Sequence, residues 1–409
     1  MLRLGHVLSL CALALLTLGV VMVNSASMGV RMVTPGTAGA PPVTPESIVL
    51  SRSTVYMLLA LAALAVGAFV PIRRWAEAFE HRPPGNDPPL RGIRPLFLVA
   101  AALVAFCALV YVPVIGREIN KSHRWIGVPG TGKGAEGLTM QPSEIAKWAC
   151  VALMAWYATA RARALHRFWT GLIPGLIALG AIAGFIVLED LGTGALIAAV
   201  GCVVLLAGGA RLWQFLMWVP LGLGGFLAAV VTSDYRMRRI TAFMDPYADP
   251  EKSGYHMIQS LVAIANGKGF GRGLGHGLQK FGFLPEVRTD FIFAVICEEL
   301  GIAGAALVIG LFVAILWTGL AILRREPNAF LRLFGLGVLC TVGLQAVINL
   351  AVVTALAPTK GIALPLLSSG GTGWIMTAFS LGLLVSIDRT RGTAPAAFAP
   401  PLAAAPQPA

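Results

Sequence analysis

The stretch LPEVRTDFIFAVICEELG, residues 284–301, sets Glu286, Arg288 and Asp290 at alternating positions ahead of an apolar run. Glu298 and Glu299 follow further in. A carboxylate at the mouth of an apolar helix can take a proton from a substrate hydroxyl, which makes Asp290 a candidate general base. The plainer role is stabilisation of a helix N-terminus, where the macrodipole favours a carboxylate. A helix starting near Thr289 puts Asp290, Ala294 and Cys297 on one face. Glu298 then lies about a quarter turn away and Glu299 points the opposite way, so one or both pair inside the protein. Arg288 is expected to favour the ionised form of Asp290.

Other polar groups supply cations. QPSEIAKW carries Glu144 and Lys147, three apart and therefore on one helix face. They form either a substrate-facing pair or a structural ion pair. Just upstream, HRWIG offers His123, Arg124 and Trp125. A guanidinium fork suits phosphate oxygens. Lys360 sits in APTKGIALPLLSSGGTG (357–373), where prolines and glycines break the backbone. Broken backbone at membrane depth survives where protein or a polar cavity covers it. Glu189 and Asp190 in LEDLGTG read as a solvated turn in which Asp190 caps the next helix. GKGFGRGLGHG (267–277) lacks the spacing of a nucleotide site and follows no strand. It reads as a flexible basic loop able to approach a ligand closely.

These groups need a scaffold, and the composition defines it. Of 409 residues, 57% are hydrophobic and 12% charged, against about 25% charged in a soluble domain. The apolar residues fall into ten blocks near 6–27, 53–71, 95–115, 141–160, 169–188, 191–209, 212–232, 290–323, 330–356 and 364–387. Each is long enough for a membrane helix, and the eighth is overlong. The sequence therefore predicts an all-α polytopic membrane protein of about ten spans, with a large extracytoplasmic segment (233–289) before the eighth. Arginines at 73, 74, 82, 91, 94, 161, 163, 167, 211, 324, 325, 332, 389 and 391 share one side, which places both termini in the cytoplasm. The first block reads as an uncleaved helix rather than a signal peptide, because its apolar run is long and no A-x-A site follows.

Linkers are expected at 35–47 and 82–95, and a disordered Pro/Ala-rich tail at 392–409, beyond a transmembrane domain of 1–391. The net charge of +12 fits cytoplasmic loops and anionic headgroups or diphosphates, and no nucleic-acid partner is called for. The six cysteines all lie in apolar blocks without metal-type spacing, which argues against disulfides and a zinc site. A basic, outward-facing site with one acid–base carboxylate suits a phosphorylated, lipid-linked substrate. It does not suit a proton pump.

The motifs HRWIG…QPSEIAK, DLGTG, FMDPYADPEKSGYHMIQSLVAIANGKGFGRGLGHGLQKFGFLPEVRTDF and PTKGIALPLLSSGGTG resemble the FtsW/RodA/SpoVE (SEDS) family in order, over residues 16–388. QKFGFLPE and PTKGIALP resemble its cell-division branch more than its elongation branch. The resemblance implies a glycosyltransferase that polymerises lipid II into peptidoglycan strands and releases undecaprenyl diphosphate. It puts the catalytic aspartate at Asp290. It puts substrate-binding residues at Arg124, Gln141, Glu144, Lys147, Gln279, Glu286, Lys360, Ser368, Gly370 and Gly371. No cofactor is certain; neutralisation of the diphosphate is left to these cations or to a divalent ion such as Mg or Mn. The implied partners are a class B penicillin-binding protein (a transpeptidase) and other division proteins, at the septum. A lipid II flippase, an elongation-type polymerase and a non-enzymatic division scaffold are the competing readings.

Overall fold

The computed structural model describes residues 3–33, 51–80, 93–113, 115–119, 122–127, 139–217 and 219–393. The proposed linker at 35–47, most of that at 82–95, and tail residues 394–409 lie outside the described residues. In chain order the elements are α1 (Leu4–Val33), α2 (Arg52–Phe69), α3 (Ile72–Glu80) and α4 (Ile93–Ala108). Strands β1 (Gly116–Ile119), β2 (Ser122–Gly127) and β3 (Thr139–Met140) follow. Then come α5 (Pro142–Ala160), α6 (Ile173–Glu189), α7 (Leu191–Ala207), α8 (Leu212–Leu216) and α9 (Val219–Val231). The chain closes with α10 (Asp234–Met244), α11 (Tyr255–Gly267), α12 (Ile292–Arg324), α13 (Ala329–Val353) and α14 (Gly371–Arg389).

Every apolar block contains helix. Among the described residues, seven helical segments are long and apolar enough to cross a membrane. The other three blocks fall short for identifiable reasons: α5 carries Glu144 and Lys147, α7 has 17 residues, and the seventh block is divided between α8 and α9. Helix ends follow local chemistry. The side chains of Ser51, Asp190 and Asn328 accept the N–H of Thr54, Thr193 and Leu331, capping α2, α7 and α13. Pro142 opens α5, where its missing N–H costs nothing. The helices pack α2 on α14, α1 on α12, and α5 on α7 and α13. Large side chains such as Ile302, Val313 and Trp317 of α12 remain exposed, as lipid-facing groups do.

Two features correct the sequence expectation. First, the helical bundle carries a small antiparallel sheet, β1-β2-β3, which holds His123 and Arg124 on β2. Second, the overlong eighth block is a broken helix. Gly301 has φ 67° and ψ −159°, a conformation open to glycine but not to most residues. The break divides α12 into a buried segment, 292–300, and a longer one, 302–324.

The glycine-rich segment fills that break. The N–H groups of Arg272 and Gly273 donate to the carbonyls of Glu298 and Glu299, and those of Ile302 and Ala303 donate to Lys268 and Gly269. Glu298 accepts from the N–H of Leu278 and Gln279. Glu299 accepts from Gly275 N–H, the Ser25 hydroxyl of α1, and Lys280 Nζ at 2.7 Å. Both carboxylates and Lys280 are fully buried. A Cβ on Gly271 would lie 2.2 Å from the Glu299 carbonyl oxygen. The glycines therefore permit close backbone docking, and the segment is a clamped element rather than a free basic loop.

Candidate active site

The clamp fixes the start of the segment that delivers Asp290. From Lys280 the chain runs to Glu286, which has φ 52°, an unusual value for a residue with a side chain. The Glu286 carbonyl accepts the N–H of Thr289 and Phe291, closing a tight turn. Helix α12 then begins at Ile292 with Phe291 as its cap. Asp290 consequently lies just before the helix, not within its first turn as the periodicity predicts.

A second segment, 354–370, lies against this turn. Asn349 Nδ2 of α13 donates to the carbonyls of both Asp290 and Ile362, at 2.8 Å each. Ser369 N–H donates to the Arg288 carbonyl. A Cβ on Gly361 would lie 3.1 Å from Asp290 Oδ2, so the chain beside Lys360 passes close to the carboxylate. Ser368 is buried, and its hydroxyl accepts Leu364 N–H at 2.7 Å, fixing the turn. Gly370 precedes α14, and Gly371 allows the Tyr56 ring to pack where a Cβ would collide. These last three residues shape the segment through the protein's own contacts.

The β2 strand and the α6–α7 turn bring further charges. Arg124 Nη1 lies 3.6 Å from Asp190 Oδ2, and its Nε donates to the Glu189 carbonyl at 3.0 Å. Asp190 caps α7 as expected, accepting from Thr193 N–H and hydroxyl.

The electrostatics converge on Asp290. Burial, then the like charges of Glu286 and Asp190, raise its pKa to about 7, while Arg239 and Arg124 oppose the rise. Arg288 is exposed and acts through its carbonyl; the sequence expectation that it would favour the ionised form gives way to the net upward shift. Burial lowers the pKa of Lys360, with Asp190 opposing and Arg239 assisting. Asp290 thus stands near neutrality, the range in which a general base is most effective.

Lys147 occupies a different environment. It is 2% exposed and binds both Glu144 oxygens, at 3.0 and 2.8 Å, and Gln345 Oε1 at 3.2 Å. Gln345 Nε2 in turn donates to the Ala363 carbonyl. The pair thereby ties α5 and α13 to the Lys360 segment. Gln141 precedes α5, with its N–H on Thr372 Oγ1 and its amide on Ser143. Gln279 is buried, with its N–H on Glu298. Glu286 is exposed, and its carboxylate accepts the Thr289 hydroxyl.

We expect Glu144→Gln and Lys147→Gln each to impair activity, and the double variant to recover part of the loss. Thermal unfolding of the four proteins should give a coupling of about 0.5–3 kcal/mol. Strictly additive effects would show that the pairing is not the main role of these residues.

Sequence reasoning missed Arg239 and Asn349. Arg239 lies in a basic run, YRMRRI, that reads as a generic charged loop. Asn349 is one of two buried amides, with Gln345, one turn apart in an otherwise apolar helix, a signal of the kind that marks Glu144 and Lys147. Among the described residues, no group of three or more His, Cys, Asp or Glu side chains converges in a way that could hold a metal ion.

Residues 89–393 match the family model for FtsW/RodA/SpoVE, described as cell cycle protein. The probable peptidoglycan glycosyltransferase FtsW of Thioalkalivibrio sulfidiphilus is 36% identical over 397 residues, covering 95% of this chain and 90% of that one. A chain from a peptidoglycan synthase complex that coordinates polymerization and crosslinking superposes with a TM-score of 0.61 at 27% identity, covering 92% of this chain and 97% of that one. The rod shape determining protein RodA of Thermus thermophilus gives 0.58 at 26% identity, covering 94% and 96%. The matched motifs and the shared fold lead to one conclusion: the chain belongs to the FtsW/RodA/SpoVE family.

Proposed function

We propose that this membrane protein is a peptidoglycan glycosyltransferase of the cell-division type, with Asp290 as its general base. The observation that carries the assignment of the base is a carboxyl group with a pKa of about 7 in a clamped turn beside Arg124, Arg239 and Lys360. The glycosyltransferase reading rests on relatives of that name at over 35% identity. Its substrate is lipid II, a polyprenyl diphosphate-linked disaccharide.

Asp290 accepts the proton of the acceptor GlcNAc 4-hydroxyl. The oxygen attacks the anomeric carbon of the donor MurNAc and forms a β-1,4 bond with inversion. The bond from that carbon to the diphosphate breaks, and undecaprenyl diphosphate departs with the electron pair. Arg124 and Lys360 neutralise the charge developing on the leaving group. Gln141, Glu144, Lys147, Gln279, Ser368, Gly370 and Gly371 position the segments that meet the substrate, while Glu286 raises the basicity of Asp290. Residues 1–391 form the transmembrane domain, with ten spans, both termini in the cytoplasm and the site outside. A class B penicillin-binding protein is the crosslinking partner at the septum; likeness to a chain of a synthase complex supports that pairing.

The test is reconstitution of the purified protein in liposomes with labelled lipid II, with and without the transpeptidase. Glycan ladders are expected. Transbilayer movement of lipid II without ladders would make the chain a flippase and overturn the reading.

The topology has its own test. Lys252 is exposed in the segment between the short 3-10 turn Pro246–Ala248 and α11. A cysteine placed there should react with a membrane-impermeant thiol reagent applied from outside. Reaction only after permeabilisation would invert the arrangement.

A further inference from the structure

Helix α10 and the start of α11 bring two basic groups to the Asp290 turn that the reaction scheme above does not use. Arg239 of α10 is half-buried, and its Nη1 donates to the Thr359 carbonyl at 3.0 Å, immediately before Lys360. Its neighbour Arg238 instead folds back on its own helix, donating to the Asp234 carbonyl. His256 of α11 stacks on Phe291, the residue after Asp290, with ring centroids 6.0 Å apart and planes 27° from parallel. The charge of Arg239 acts on three groups from three different segments: Asp290, Lys360 and His256.

We propose that Arg239 is a positioning residue of the reaction centre, seating the Lys360 segment beside Asp290 and holding a fixed positive charge next to both. The inference rests on the glycosyltransferase reading. The geometry supports it through a hydrogen bond that spans 120 residues of sequence and ends one residue from Lys360. The charges support it as well. Glu286 and Asp190 both act against ionisation of Asp290, and Arg239 heads the cations that act for it, ahead of Arg124. Arginine suits this role because it stays protonated at every working pH, whereas Lys360 and His256 are both pulled toward their neutral forms by burial and by Arg239 itself. Arg239 thus supplies a constant charge among groups that titrate.

The experiment is the pH profile of lipid II polymerisation for the full-length wild-type protein, Arg239→Lys and Arg239→Gln, with kcat and KM measured separately. Loss of a fixed cation raises a carboxylate pKa, so R239Q should move the acid limb upward by about 1 unit. Its rate deficit should shrink as the pH is raised and the Asp290 carboxylate is recovered. R239K should leave the limb in place while lowering kcat, because one ammonium cannot reproduce the guanidinium fork. Arg239→Met serves as a second uncharged variant if R239Q does not fold.

A limb that stays put in the uncharged variants would overturn the proposal and leave Arg239 as a structural tie for α10. A rise in KM alone, with kcat and the limb unchanged, would make Arg239 a simple substrate contact and also overturn it. Absence of ladders from the wild-type protein defeats the glycosyltransferase reading, whereas an active wild type with unmoved variants defeats only this one.

Discussion

Asp290→Asn is expected to lower lipid II polymerisation by at least ~10² while the protein still inserts and binds lipid II. Asparagine keeps the shape and nearly the volume of aspartate but cannot accept the proton. The Asp290 carbonyl, which receives Asn349 Nδ2, is untouched by the change, so the turn should hold. Asn caps helices about as well as Asp, so a capping role alone would leave the rate unchanged. Asp290→Glu should also be poorly active. One extra methylene moves the carboxylate by about an ångström, and a displacement of that size can cost about 10² in rate. Gly361 passes beside the carboxylate, where a Cβ would lie 3.1 Å from Oδ2. Normal rates and ladder lengths from purified Asp290→Asn would remove the residue from catalysis.

The second large effect is expected at the clamp. Glu299→Gln leaves the Lys280 ammonium without its carboxylate in a fully buried position. Breaking a buried pair by removing one partner costs about 3–5 kcal/mol, because the remaining charge is uncompensated. Thermal unfolding in detergent should report this loss. Glu299 also holds Gly275 N–H and the Ser25 hydroxyl, so activity should fall with stability as the segment leading to Asp290 loosens. Replacing Lys280 by Met in the Glu299→Gln background should restore part of the stability but not the activity. A single variant as stable as wild type would show that the clamp does not hold the segment.

The helices were legible because their apolar blocks are long and an end such as Asp190 carries an ordinary local signal. The role of Asp190 as a cap could be read for the same reason, since it depends on local spacing. The break at Gly301 was not legible. An apolar run with one glycine looks like a continuous helix, and what breaks it is a segment some thirty residues upstream that supplies alternative hydrogen bonds. The glycines at 267–277 were visible as a cluster, but their reason was not. Close docking against Glu298 and Glu299 is a tertiary fact, whereas flexibility is the local reading of the same residues. The basicity of Asp290 was misjudged in a similar way. Arg288 is adjacent in sequence and exposed, while burial, Glu286 of the same turn and Asp190 of the α6–α7 turn raise the pKa against Arg239 and Arg124. The small sheet escaped because its strands span only four, six and two residues.

The most direct test of the central claim is the rate of lipid II polymerisation as a function of pH in the reconstituted wild-type protein. Asp290 must be ionised to accept a proton, and its pKa is raised to about 7. The base form is therefore complete above that value and is lost as the pH falls through it. The account predicts an acid limb near pH 7, falling about tenfold per unit below it, and no such limb in the residual rate of Asp290→Asn. A limb near the ordinary carboxylate value of about 4, or one that persists unchanged in Asp290→Asn, would contradict the assignment of Asp290 as the general base.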